Sequence, residues 1–126
     1  MTKELDYAIT KLETAFAKLK EGSYTANGEL EKDGVIQRFE FTFELLWKTV
    51  KIFLRHNGIE TKTPRESMQE TFKIGWVQNE ACFLNMLEDR NMTSHLYDKE
   101  TAEEILKRIS EDYIPAIEAV VQHLKG

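Results

Sequence analysis

The sequence predicts an all-α fold, an antiparallel bundle of helices joined by short connections. Apolar residues recur at helical spacing along nearly the whole chain, and no segment shows the sustained alternation of a β-strand. The 126 residues include only two prolines and six glycines, so long ordered elements are expected. With 41% apolar and 31% charged residues, the chain can bury a core and keep a polar surface. We expect one domain, residues 1–126.

The first two helices are predicted over residues 3–20 and from about residue 29 or 33 to residue 57. The apolar stripe of the first helix is Leu5, Ile9 or Ala8, Leu12, Phe16 and Leu19. Gly22, Asn27 and Gly28 mark the loop that follows. The apolar residues of the second helix are Val35, Ile36, Phe39, Phe43, Leu46, Trp47, Val50, Phe53 and Leu54. Gly58 suits a left-handed stop after it.

Capping signals place the start of a short third helix. Thr63 can cap it, Pro64 suits its first turn and Glu66 completes a capping box. Gly75 ends the segment, whose apolar residues include Met68 and Phe72.

Two further helices complete the prediction. A fourth helix is expected from about residue 79 to 97, with Phe83, Leu84 and Leu87 facing inward. A last helix, capped by Asp98 or Thr101, continues to about residue 125. Pro115 lies inside it, removes one backbone donor and crowds the carbonyl four residues back, so we expect a kink there.

Composition limits the classes of function. The net charge of −5 argues against broad nucleic-acid coating, although not against a small basic site. The single cysteine, Cys82, cannot form an internal disulfide and has no zinc-ligand spacing around it. No signal peptide or membrane-spanning stretch is found, so we expect a cytoplasmic protein that does not enter a membrane. We expect no cofactor and no metal. The sequence has no glycine-rich phosphate loop and no nucleotidyltransferase Gly-Ser with paired aspartates, so the chain would need a partner for nucleotide transfer.

The segment 90–98 concentrates the groups most suited to chemistry. Seven positions return a helix almost to the same face, so Arg90 and Tyr97 project together if the helix is unbroken. Asn91 and His95 are four apart and share the adjacent face, with Asp98 one turn further. Arg90 and His95 are not stacked on an ideal helix. They would converge at a helix end or across an interface with a second copy.

These residues suit phosphate chemistry. The arginine offers a planar fork of donors for a phosphate, and the histidine can take a proton from a ribose 2′-hydroxyl or give one to the leaving oxygen. Asn91 or Tyr97 can orient the ring or the phosphate. The alternative is that Arg90 pairs with a carboxylate such as Glu44 while His95 and Tyr97 only cap and pack. From the residues alone this structural interpretation is favoured.

The second helix carries further candidates. Gln37, Arg38 and Glu44 sit among several phenylalanines, too many for one buried stripe, which favours an interface or groove role for these three polar residues. For Lys51 and Arg55 a solvated face with intrahelical ion pairs is the safer interpretation.

Three blocks of the sequence resemble a known family. They are the Arg-x4-His-x-Tyr motif from Arg90 to Tyr97, the Leu-Glu-Asp-Arg-Asn run that leads into it, and residues 33–48, which include Gln-Arg-Phe-Glu-Phe. Together they resemble the HEPN superfamily and, within it, the nucleotidyltransferase substrate-binding protein family. The resemblance extends from about residue 5 to the C-terminus.

The resemblance implies properties that composition and spacing do not. Family members are five-helix, up-and-down bundles that form homodimers and bind a minimal nucleotidyltransferase encoded beside them. HEPN toxins of this type are metal-independent RNases, which gives catalytic roles to Arg90 and His95 at the dimer groove, with Asn91 fitting the pattern. In some pairs the nucleotidyltransferase is the antitoxin and adenylylates the motif tyrosine, here Tyr97. The alternative is a non-catalytic substrate-binding subunit of a two-component nucleotidyltransferase.

Overall fold

The computed structural model describes residues 2–93 and 98–126, and within them it contains helices and no strand. The helices are α1 (Lys3–Thr25), α2 (Glu29–His56), α3 (Pro64–Lys73), α4 (Glu80–Met92), α5 (Lys99–Arg108) and α6 (Ile114–Lys125). A π-helical segment, Ile109–Tyr113, joins α5 to α6 in one continuous rod, so the described residues form five helical rods. The predicted all-α bundle is confirmed.

The core lies around α2, which packs against every other rod. Its inner face is fully buried, and the predicted stripe of α1 covers one side of it. Buried side chains of this size each stabilise the fold by about 1.5–3 kcal/mol relative to exposure. The buried α1 and α2 residues include Leu5, Ile9, Leu12, Phe16, Leu19, Phe39, Phe43, Leu46, Val50 and Leu54.

α1 is longer than predicted, because Gly22 belongs to the helix and not to the loop after it. A Cβ at Gly22 would lie 2.8 Å from Nη1 of Arg38, so glycine leaves the space in which the arginine of α2 packs against α1. This glycine therefore serves close helix packing, a role that sequence cannot distinguish from a helix break.

The N-cap and first turn of α3 agree with the sequence prediction, but the predicted capping box does not form, because the Glu66 carboxylate accepts from the Thr63 hydroxyl and not from the Thr63 backbone N–H. The Thr63 hydroxyl accepts from the backbone N–H of Glu66 at 3.1 Å, and Pro64 occupies the first turn. Gly75 follows the helix with a positive φ of 84°, which a residue with a side chain rarely adopts.

α4 ends at Met92, earlier than the predicted end near residue 97. The backbone N–H of Thr93 donates to the carbonyl of Arg90, and the Thr93 hydroxyl donates to the same oxygen at 2.7 Å. These bonds close the last turn tightly. The predicted shared faces of Arg90 with Tyr97 and of Asn91 with His95 stay predictions. His95 and Tyr97 themselves lie outside the described residues.

The last rod departs from regular α-helix just before Pro115. The backbone N–H of Ile114 donates to the carbonyl of Ile109, five residues back, which is the π-helical pattern. Proline has no N–H to donate and crowds the preceding turn, so a local change of helix type is expected next to it. The π segment carries Tyr113 into the core, where its ring stacks on Phe39 at 5.5 Å between centroids.

A polar network joins α4 to this rod. The carboxylate of Asp89, only 9% exposed, accepts hydrogen bonds from Nε and Nη2 of Arg108 at 2.7 and 2.9 Å and from the Tyr113 hydroxyl. Burial, followed by the bond to the charged Asp89, raises the pKa of Tyr113, so the phenol stays a donor. The bond to Asp89 likewise raises the pKa of Arg108. Asp89, Arg108 and Tyr113 are called the Asp89 network below.

Each helix in the described ranges 2–93 and 98–126 is either too short or too polar to cross a lipid bilayer.

We predict that Asp89→Asn lowers the free energy of unfolding by about 3 kcal/mol, because it leaves Arg108 and Tyr113 without an anionic acceptor. Urea unfolding followed by circular dichroism measures this. Glu88→Gln removes an exposed carboxylate from the neighbouring position and is the matched control, with an expected change within about 0.5 kcal/mol. Equal effects of the two substitutions would show that the network does not hold α4 in place.

Candidate functional site

The last turn of α4 presents Arg90 to α2. Nη2 of Arg90 lies 2.6 Å from Oε2 of Glu44, and both side chains are about one third exposed. The structure therefore confirms the predicted ion pair between Arg90 and Glu44. Such a pair fixes the direction of the guanidinium, and it does not by itself decide whether the arginine also binds a ligand.

Glu44 is held as an anion by its neighbours on α2. Burial raises the pKa of this carboxyl, but hydrogen bonds from Trp47 and Lys48 and the positive charges of Arg90 and Lys48 outweigh burial, so the pKa lies below its ordinary value. Nε1 of Trp47 donates to Oε2 at 3.2 Å, and Nζ of Lys48 lies 3.2 Å from Oε1. Residues three and four positions along a helix share one face, which explains this convergence.

Asn91 completes the support of Arg90. Its Oδ1 accepts from Nη1 of Arg90 at 3.2 Å. A guanidinium has five N–H groups, and among the described residues Glu44 and Asn91 accept from two of them. As far as the described residues are concerned, the other N–H groups of Arg90 remain available to bind a phosphate while Glu44 stays in place.

An open hollow of about 470 Å³ lies in front of this arginine. It is lined by Gln37, Glu40, Phe41, Glu44, Arg90, Asn91 and Thr93. We call it the Arg90 hollow. Of the residues singled out from the sequence, it brings together Gln37, Glu44, Arg90 and Asn91.

Two of the predicted site residues lie elsewhere. Arg38 does not line the Arg90 hollow but projects toward α1, where its Nη1 donates to the carbonyl of Lys18 at 2.8 Å. Asp98 caps α5, accepting from the backbone N–H of Glu100 and from the Thr101 hydroxyl, each at 3.0 Å. Asp98 faces a separate hollow between α2 and α5. A supporting role for Asp98 in chemistry stays a prediction, as do the roles of His95 and Tyr97.

Sequence reasoning missed the Asp89 network, although one signal was present. Asp89 falls three positions after the buried Met86, so a carboxylate occupied a position on the inner side of α4. A buried carboxylate requires charged or hydrogen-bonding partners. Tyr113 similarly lies four positions from the buried residues Ile109 and Ile117.

In the described part of the chain, no three His, Cys, Asp or Glu side chains converge closely enough to hold a metal ion.

Solved structures share this architecture. A crystal structure of a Thermus thermophilus protein, 33% identical, matches with a TM-score of 0.85 over 91% of this chain and 99% of that chain. A tri-AMPylated Shewanella oneidensis HEPN toxin, solved in complex with its MNT antitoxin, matches with a TM-score of 0.78 over 99% of this chain and 98% of that chain. The second is only 13% identical, so it shows the fold alone. The bundle has the fold of a HEPN protein.

The sequence itself identifies the family. A family model described as nucleotidyltransferase substrate binding protein like matches residues 2–126. This chain belongs to that family, as the sequence resemblance predicted. A probable ribonuclease HepT from Haemophilus influenzae is 30% identical over 83 residues. That alignment covers 62% of this chain and 57% of the length of the Haemophilus protein.

Proposed function

We propose that this chain is the HEPN-type partner of a minimal nucleotidyltransferase and that it cleaves RNA without a metal ion. The observation that supports the proposal best is the placement of Arg90. Its guanidinium is oriented by an ionised Glu44 and by Asn91, and it faces an open hollow at the last turn before the segment that carries His95. The similarity to a probable ribonuclease HepT favours the same activity.

In the proposed reaction, His95 removes the proton of a ribose 2′-hydroxyl. The 2′-oxygen then attacks the adjacent phosphorus, and the 5′-oxygen of the next nucleotide leaves with a proton returned by a histidine. The products are a 2′,3′-cyclic phosphate end and a 5′-hydroxyl end. Arg90 stabilises the negative charge that develops on the phosphate oxygens.

We further propose a homodimer in which the Arg90 hollow lies next to a second copy. On an ideal helix Arg90 and His95 do not share a face, so a second subunit offers one way to bring the two groups to the same phosphate. Homodimers with paired surface patches are the commonest protein assemblies.

The nuclease proposal predicts that the purified protein cleaves a fluorescent RNA in the presence of EDTA. His95→Ala and Arg90→Ala are each expected to lower the cleavage rate at least ~100-fold, a typical contribution of one positioned acid–base or charge-stabilising group. Lys62→Ala, a change of an exposed residue away from the hollow, is the control and should cleave as the wild type does. Wild type and His95→Ala cleaving RNA equally would reject the proposal.

The partner proposal concerns Tyr97. We propose that the nucleotidyltransferase transfers AMP from ATP to the phenolic oxygen of Tyr97, with release of pyrophosphate, and thereby blocks cleavage. The Shewanella HEPN toxin, which is tri-AMPylated in its complex with an MNT antitoxin, motivates this proposal.

Co-expression with a minimal nucleotidyltransferase partner should therefore add the mass of one or more AMP groups to the intact chain. Tyr97→Phe should remove this addition, whereas Tyr24→Phe, at an 89% exposed tyrosine, should leave it unchanged. AMP on the Tyr97→Phe chain would place the modification at another residue.

The second candidate function is a non-catalytic substrate-binding subunit of a two-component nucleotidyltransferase. The description of the matching family model favours it. This function predicts that the chain co-purifies with the nucleotidyltransferase. It also predicts that RNA stays intact in the EDTA assay described above.

A further inference from the structure

A second cavity lies between α1 and α2, on the side of α2 next to the Arg90 hollow. It has a volume of about 680 Å³. Its lining residues are Thr10, Lys11, Thr14, Ala15, Lys18, Gly34, Gln37, Arg38, Phe41 and Leu45. We call it the α1–α2 groove.

The groove is cationic in an otherwise acidic chain. Among its described lining residues, Lys11, Lys18 and Arg38 carry positive charge and no residue is acidic, whereas the whole chain has a net charge of −5. Within the part of the chain that the structure describes, none of these three cations forms an ion pair with a carboxylate. A surface with this charge pattern attracts an anionic ligand.

The arginine of the groove is already held in place. Its Nη1 donates to the carbonyl of Lys18 at 2.8 Å, and the missing side chain of Gly22 makes room for the guanidinium. A cation that is fixed before binding loses less conformational freedom when it contacts a ligand.

The groove continues into the Arg90 hollow. Gln37 and Phe41 line both cavities, so one surface runs from Arg38 past Phe41 to Arg90. The Phe41 side chain is 59% exposed and lies where the two cavities meet. An exposed ring between cations suits a chain of alternating phosphates and bases, because any base can stack on it.

We propose that the α1–α2 groove binds the single-stranded RNA segment next to the scissile phosphate. Lys11, Lys18 and Arg38 contact successive phosphates, and the Phe41 ring stacks on one base. The proposal rests on the RNase function proposed above. An acidic protein surface would also be attracted by the cations, but the exposed ring and the continuity with Arg90 favour RNA.

The test measures fluorescence anisotropy of a short single-stranded RNA, with the full chain carrying His95→Ala so that the RNA is not cut. K11A/K18A is compared with K62A/R65A, which removes the same amount of charge from exposed positions outside the groove. We expect K11A/K18A to lower affinity roughly tenfold and to reduce the slope of log K against log salt by about 1.4, since each phosphate contact contributes about 0.7. The control variant K62A/R65A should change neither the RNA affinity nor the salt slope.

The aromatic contact is tested in the same assay. Phe41→Ala should weaken binding about fivefold or more, the effect of losing one stacked base. Phe72→Ala, at another exposed phenylalanine, should have no effect. K11R/K18R keeps both charges and should retain the parent affinity, which separates loss of charge from any disturbance of the fold.

The outcomes separate this inference from the proposed function. If the wild type cleaves RNA and K11A/K18A binds as tightly as the control pair, the groove proposal is wrong and the nuclease stands. If K11A/K18A keeps its RNA affinity but binds the nucleotidyltransferase more weakly, the groove proposal is also wrong, and the groove is instead a protein-docking surface. Groove-dependent binding without cleavage by the wild type would support the groove and reject the nuclease. No RNA binding by the His95→Ala parent would reject the groove proposal, and cleavage by the wild type in EDTA would still decide the nuclease separately.

Discussion

The buried carboxylate of Asp89 is the constraint on which the candidate site depends. It joins the last turn of α4 to Arg108 and Tyr113 on the neighbouring rod. Successive residues on a helix project about 100° apart, so fixing Asp89 toward that rod directs Arg90 toward α2. There Glu44 receives it, and Asn91 and Thr93 close the turn around it. One structural ion pair thus sets the geometry of the residue that we propose binds phosphate.

The buried Asp89 carboxylate is stable because Arg108 and Tyr113 together supply an opposite charge and three hydrogen bonds. A buried anion destabilises a fold unless hydrogen bonds and an opposite charge replace its water. Arg108 supplies two donors while its side chain stays about one third exposed and hydrated. Tyr113 supplies a third donor from the π segment and stacks on Phe39 of α2. The π segment therefore connects the polar network to the apolar core.

Local signals in the sequence predicted local structure well. The starts of two helices were predicted correctly, at Thr63–Pro64 for α3 and at Asp98 for α5. Such predictions succeed because a cap acts within one turn of its own position. The pairing of Arg90 with Glu44 was also foreseeable, since an arginine next to an apolar stripe requires a carboxylate from a neighbouring helix.

Contacts between distant helices were less predictable. Gly22 reads as a loop residue in the sequence, and only the approach of Arg38 explains why it lies inside α1. The three partners of the Asp89 network are separated by up to 24 positions, and their meeting depends on how the rods pack. An interface or groove role was predicted for both Arg38 and Glu44, but the sequence did not show that Arg38 lines the cavity toward α1 while Glu44 lines the adjoining cavity toward α4. The roles of His95 and Tyr97 remain predictions.

The central claim is that Arg90, and not the structurally engaged Arg108, contacts the phosphate of bound RNA. The most direct measurement follows the Nε–Hε NMR signals of ¹⁵N-labelled protein while an RNA with methylated 2′-hydroxyls, which cannot be cleaved, is added. The account predicts a saturable shift of the Arg90 signal and an unchanged Arg108 signal, because Nε of Arg108 already donates to Asp89. RNA binding that leaves the Arg90 signal unshifted would contradict the account.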